Sequence, residues 1–180
     1  MTINWSKLCY LKAYRYAAEA HRSQIYPGTD LPYLLHISFV SMEIIASLNY
    51  ETNRDGDFAV QCALLHDVIG DTHITYDDVE NTFGIKMADG VLALTKVFSL
   101  AEEERSPDSL VRIKDQPYEV WMVKLADRIS NLAIPPDNWD QERTKQYWLE
   151  SGRILDALNQ SSEYLSRRLL LKINNYQEFL

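Results

Sequence analysis

Apolar positions recur along most of this chain at the three-to-four-residue spacing of a helix face. Trp5, Leu8, Cys9, Lys12, Tyr16 and Ala20 space out as one face of a first helix. The proline and glycine of YPGTDLP (26–32) break the pattern. Helical spacing resumes over 33–48 and again over 58–69, where Phe58, Cys62, Leu65 and Ile69 stay in register. Thr75 followed by Asp78 resembles a capping box, with Asp in place of the usual Glu or Gln, and predicts a short helix that closes at Gly84. IKMADGVLALTKV (85–97) predicts another helix in spite of Gly90, and a polar stretch, 101–117, ends in Pro117. Residues 118–132 are strongly helical up to Pro135 and Pro136, and two long helices, about 139–158 and 161–179, finish the chain. Strand signals are scarce, since no alternating run is bounded by a two-residue hairpin turn. The expected fold class is all-α, a compact helical bundle formed as one domain over 1–180, with no internal repeat or linker.

Composition narrows the function. A chain of 180 residues with 46% apolar positions has room for one sizeable core. Its net charge of −8 argues against coating a nucleic-acid backbone, so neither DNA nor RNA is an expected partner. A small phosphorylated ligand can still be held by a local cluster of Arg and Lys. Cys9 and Cys62 each sit in apolar helical context, as buried thiols do, which fits a reducing compartment better than a disulfide does. The N-terminal stretch MTINWSKLCYLKAY lacks the charged and apolar regions of a signal peptide. No apolar segment approaches the ~20 residues that span a bilayer. A soluble cytoplasmic protein without a membrane partner is the expectation, and homo-oligomerisation is left open.

The chemistry begins at ALLHDVIGD (63–71), where His66 and Asp67 end an apolar run and Asp71 follows. An ionised carboxylate buried without a partner costs several kcal/mol, so something polar must meet it. His36 and Asp127 stand in similarly apolar helical segments. Two imidazoles and two carboxylates suit one borderline divalent ion, Mn, Fe, Co or Zn, better than Ca or Mg, which prefer all-oxygen shells. Converging from three helices, His36, His66, Asp67 and Asp127 would leave coordination positions open for water and substrate. Each residue alone has a blander reading: a helical histidine is usually a satisfied core or surface residue, and Asp127 in KLADRISNL has Lys124, Arg128 and Arg143 as salt-bridge candidates. The four in this order are harder to dismiss.

The pattern H…HD…D, with ALLHDVIGDT and VKLADRISNL around its members, resembles the HD-domain metal-dependent phosphohydrolases. More narrowly, it is similar to the hydrolase domain of RelA/SpoT-type enzymes and to the single-domain small alarmone hydrolases. The likeness runs through AAEAHRSQ (17–24), PYLLH (32–36), TYDDVENTFG (75–84), VKLADR (123–128) and NWDQERTKQYW (138–148). It implies an HD-domain bundle that removes pyrophosphate from the 3′ position of (p)ppGpp, usually with manganese. By position, it implies that His36, His66, Asp67 and Asp127 are the metal ligands. It also places Asn131 against the nucleotide, on the helix face of Asp127, and Arg143 against a phosphate. Lys124 and Arg128 are further candidate cations, although Arg128 directly follows a ligand and can instead support it.

Two departures from the family pattern bear on the reaction. Family members commonly carry Glu-Asp three residues after the HD pair, and both carboxylates are assigned to water activation. Here the pair is Gly70-Asp71, which leaves Asp71 as the catalytic base or water-orienting group. After His21, the alarmone hydrolases typically place an Arg-Lys pair that grips the guanosine nucleotide. This chain has Tyr26-Pro27-Gly28, which removes cations and offers a stacking tyrosine, Tyr26. The expected substrate is a (p)ppGpp-like alarmone, (p)ppApp included. The alternatives are a nucleotidase acting on another nucleotide and a metal- and nucleotide-binding protein weakened by the loss of the glutamate.

Overall fold

The computed structural model describes residues 4–180. The first three residues of the N-terminal stretch lie outside the described residues. Ser6 caps α1 (Lys7–Ala20) by accepting from Leu8 N. The buried stripe of α1 is Ala13 and Ala17, whereas Leu8 is 79% exposed and Lys12 reaches outward, its ammonium 4.6 Å from the centre of the Phe83 ring. The expected face is therefore displaced. Alanines let α1 lie close against α3, and the larger side chains flank that contact.

The 26–32 loop is pinned at its neck. Ile25 and Pro32 form an isolated bridge, Tyr26 N–H donates to the Leu31 carbonyl (2.8 Å) and Tyr33 N–H to that of Gln24 (2.9 Å). Helix α2 (Leu34–Ser47) starts directly after it.

The sequence predicts one helix over 58–69, and the structure breaks it. Helix α3 (Gly56–Leu65) stops at the histidine, and α4 (Val68–Asp71) is a single separate turn. The carbonyl that residue 67 would take in an unbroken helix belongs to Ala63, and it accepts from His66 Nδ1 at 2.8 Å. Asp67 sits at φ −106°, ψ −2°, off the helical minimum. The break swings its carboxylate back over the histidine.

The Thr75/Asp78 capping box opens α5 (Tyr76–Phe83), and Gly84, at φ 89°, closes it. Helix α6 (Ile85–Leu94) follows. A Cβ at Gly90 would lie 3.0 Å from Val120 Cγ2, so the glycine lets α6 approach α8. The polar stretch 101–117 contains a helix, α7 (Glu102–Lys114), with Pro107 inside it. Its buried residues are Ser109 and Ile113, too thin a stripe to read as periodicity. What fixes it is the end of α6: Ser109 Oγ donates to the Ala93 carbonyl, and Arg112 donates to the carbonyls of Leu92, Ala93 and Thr95. These bonds cap the last turn of α6, where a helix runs out of backbone donors for its carbonyls.

Helix α8 (Tyr118–Asn131) is the axis of the bundle, buried along most of its length and packed against α2, α3, α6, α9 (Gln141–Leu158) and α10 (Glu163–Tyr176). Among the described residues there is no strand, and no helix is long and apolar enough to cross a membrane. Cys9 and Cys62 are free thiols; Cys62 is fully buried, and burial pushes its pKa up to about 12.

Candidate metal centre

Helices α2, α3 and α8 pack on one another, and each delivers a polar group to the same point. His36 comes from the first turn of α2, His66 and Asp67 from the break after α3, and Asp127 from the last turns of α8. His36 Nε2 and His66 Nε2 lie 3.2 Å apart. Asp67 Oδ2 is 2.9 Å from His66 Nε2 and 3.6 Å from His36 Nε2. Asp127 Oδ1 approaches from the other side, 3.5 Å from His36 Nε2 and 3.9 Å from His66 Nε2. The ligand atoms of His36, His66 and Asp67 lie within 4.8 Å of one another, and Asp127 stands outside that group but within 3.9 Å of both imidazoles.

The donor set fits a divalent ion. Because the Ala63 carbonyl can only accept, His66 Nδ1 carries the proton and its Nε2 presents a lone pair to the cluster. His36 Nδ1 is 3.1 Å from Ser130 Oγ, which leaves its Nε2 for the cluster as well. Two lone pairs and two carboxylates converging at 2.9 to 3.9 Å repel one another unless a cation lies between them, and imidazoles oriented through the far nitrogen are the usual metal arrangement. The electrostatics of the cluster point the same way. Burial disfavours the His36 imidazolium, but Asp127 and Asp67 outweigh it and raise its pKa to about 9. His66 is raised in the same way, burial being overcome chiefly by Asp67. Against the effect of burial, the histidines hold the Asp67 carboxyl well below the usual range, and Lys124 with the histidines does so for Asp127. The site is built for positive charge.

The other predicted residues divide into those at the cluster and those beyond it. Lys124 Nζ donates to Asp127 Oδ2 (2.8 Å) and Asn131 Nδ2 to Asp127 Oδ1 (2.5 Å), so both line the α8 side. Tyr26 stacks nearly parallel to His36, with ring centroids 5.9 Å apart. Asp71 lies on the Asp67 side; burial and the Asp67 charge raise its carboxyl. Arg128 is turned away. Its guanidinium is buried against Glu150 (2.5 Å) and the Tyr147 ring (4.1 Å), which makes it a support for α8 rather than a free cation. Arg143 is exposed on α9 and lies over the Trp139 ring, with no hydrogen bond from its side chain to the cluster residues.

Three contacts escaped the sequence reading. Tyr33 Oη donates to Asp67 Oδ2 (2.6 Å), Ser130 holds His36, and Glu150 holds Arg128. None has a local signal, because each partner is far along the chain or is an ordinary helix residue.

Comparison with known proteins agrees with this geometry. A family model described as an HD domain matches residues 13–158. The Drosophila melanogaster protein named guanosine-3′,5′-bis(diphosphate) 3′-pyrophosphohydrolase MESH1 is 30% identical over 165 residues, 89% of this chain and 90% of its own. Escherichia coli SpoT, named a bifunctional (p)ppGpp synthase/hydrolase, is 33% identical over 137 residues, 70% of this chain and 18% of the longer protein. A solved metazoan orthologue of SpoT, described as hydrolysing ppGpp, superposes with a TM-score of 0.80 at 28% identity, covering 95% of this chain and 97% of that one. With the family model spanning α1 to α9 and the H…HD…D residues gathered at one point, this chain belongs to the HD-domain family.

Proposed function

We propose that this protein is a metal-dependent nucleotide phosphohydrolase that removes pyrophosphate from the 3′ position of a (p)ppGpp-like alarmone, the adenosine counterpart included. The observation that carries this reading is the convergence of His36 Nε2, His66 Nε2 and Asp67 Oδ2, closed by Asp127 Oδ1. The Drosophila melanogaster relative named as a 3′-pyrophosphohydrolase, matched over 90% of its own length, supports the substrate class.

In this reading His36, His66, Asp67 and Asp127 hold one divalent ion, for which manganese is the first choice. When bound, the ion supplies charge neutralisation on the phosphoryl oxygens and acidifies water. Asp71 takes a proton from the attacking water as the bond between phosphorus and the 3′ oxygen breaks, and its raised carboxyl suits that role. The leaving 3′ oxygen takes up a proton in turn. Asn131 and Lys124 face the nucleotide from α8, Tyr26 stacks against it, and Arg143 meets a phosphate from α9.

The test is pyrophosphate release from ppGpp and ppApp by the manganese-loaded protein, with other nucleotides as controls. Release of pyrophosphate together with the nucleoside 5′-diphosphate supports the reading. Turnover confined to other nucleotides, or none at all, overturns it.

A further inference from the structure

We propose that Tyr33 is a positioning residue whose hydroxyl keeps the Asp67 and Asp71 carboxylates in register across the metal site. This deepens the hydrolase reading and rests on it for the turnover arm of the test.

The phenol is fixed before it meets either acid. Its backbone N–H is held by the Gln24 carbonyl at the neck of the 26–32 loop (2.9 Å). Its ring packs between His21, 5.0 Å away, and His36, 5.3 Å away, and the residue is 8% exposed. A ring so enclosed on two sides has little rotameric freedom.

From that position Oη lies 2.6 Å from Asp67 Oδ2 and 3.5 Å from Asp71 Oδ2. Oδ2 of Asp67 is also the oxygen that faces both histidines. A phenol has one proton to give, and here the short bond to Asp67 takes it while Asp71 sits at the edge of its reach. A phenol is protonated near neutral pH, so it remains a donor. The hydroxyl therefore does two things. It fixes which oxygen of Asp67 points at the histidines, and by donating to that carboxylate it disperses charge that would otherwise repel Asp71, whose Oδ2 lies 3.5 Å from the same phenol oxygen. The second matters because Gly70 offers no side chain, so Asp71 is the one carboxylate that α4 contributes beside Asp67. Partners that orient metal ligands typically contribute ~10–100-fold in metal affinity or activity.

Tyr33→Phe keeps the ring between His21 and His36 and removes only the hydroxyl. The expected result is a weaker manganese dissociation constant, by ~10-fold or more, and at saturating manganese a kcat lowered by ~10–100-fold with the KM for ppGpp unchanged. In an Asp71→Asn background the same substitution should cost much less in kcat, because the two act through one another. Wild-type manganese affinity and kcat in Tyr33→Phe would overturn the proposal. So would a variant whose loss is explained by a lower melting temperature, with full kcat per folded molecule, or equal effects of the substitution with and without Asp71. Should the wild-type protein release no pyrophosphate from any nucleotide, the hydrolase reading fails by itself, and manganese affinity still decides for or against Tyr33.

Discussion

His36 Nε2 and His66 Nε2 face each other across 3.2 Å, with Asp67 and Asp127 on either side. Without a metal, a proton is what keeps this pair together. The His36 pKa is raised from 6.5 to about 9 in the folded protein. Its contribution to stability is therefore fully present below pH 6.5 and is lost as the pH rises through 9. The metal-free protein should lose melting temperature between those values, while the manganese-loaded protein should not. Because the ion displaces a proton, manganese binding at pH 7 should release about one proton per site and tighten as the pH rises. Calorimetry in buffers of different ionisation enthalpy reads this directly, and binding without proton release would refute it.

Asp127 is held by Lys124 and Asn131 as well as facing His36. Asp127→Ala should remove bound metal and leave a buried ammonium without a partner, at a cost of about 3–5 kcal/mol. Asp127→Asn should lose metal at a smaller cost in stability. Metal analysis and thermal melts check both. Unchanged stoichiometry in Asp127→Ala and His66→Ala would remove these residues from the site.

Glu150 neutralises the buried guanidinium of Arg128. Burial raises the glutamate, but Arg128 outweighs it and holds the carboxyl below its usual 4.5. The pair should thus stabilise the fold above pH 4.5 and lose that effect as the pH falls through the lowered value. Glu150→Gln is expected to destabilise by about 3–5 kcal/mol near neutrality, with the gap to wild type closing in acid and the metal content unchanged. A gap that does not vary with pH would assign the loss to packing alone.

At Gly70 an added Cβ would lie 3.3 Å from Thr95 Cγ2, a close contact that a small shift of the threonine relieves. Gly70→Glu should then raise kcat on ppGpp by restoring a second carboxylate, within the ~10²–10⁴-fold that acid–base groups contribute, and Asp71→Asn should lower it. Steady-state kinetics on ppGpp and on the best alternative nucleotide decide the matter. A loss on the other nucleotide with no gain on ppGpp would mean that the glycine belongs to a pocket shaped for a different substrate.

Much of the architecture is readable from local pattern. The Thr75/Asp78 box, the closure at Gly84 and the long helices at 118–132, 139–158 and 161–179 all rest on interactions within a turn or two. Helix α7 was hidden because what orders it is the end of α6, contacted by Ser109 and Arg112, and not an apolar stripe of its own. The outward turn of Leu8 was hidden for a related reason: two alanines set the contact with α3, and small side chains barely mark a hydrophobic face.

The candidate ligands divide along the same line. The sequence by itself determined which side chains can hold a metal, because polar groups in apolar helices need partners wherever they end up. Tertiary structure decided how they meet. Tyr33 reaches Asp67 across 34 positions and Ser130 reaches His36 across 94. Periodicity records which face of each helix is buried, but two buried faces find their register only when the helices pack.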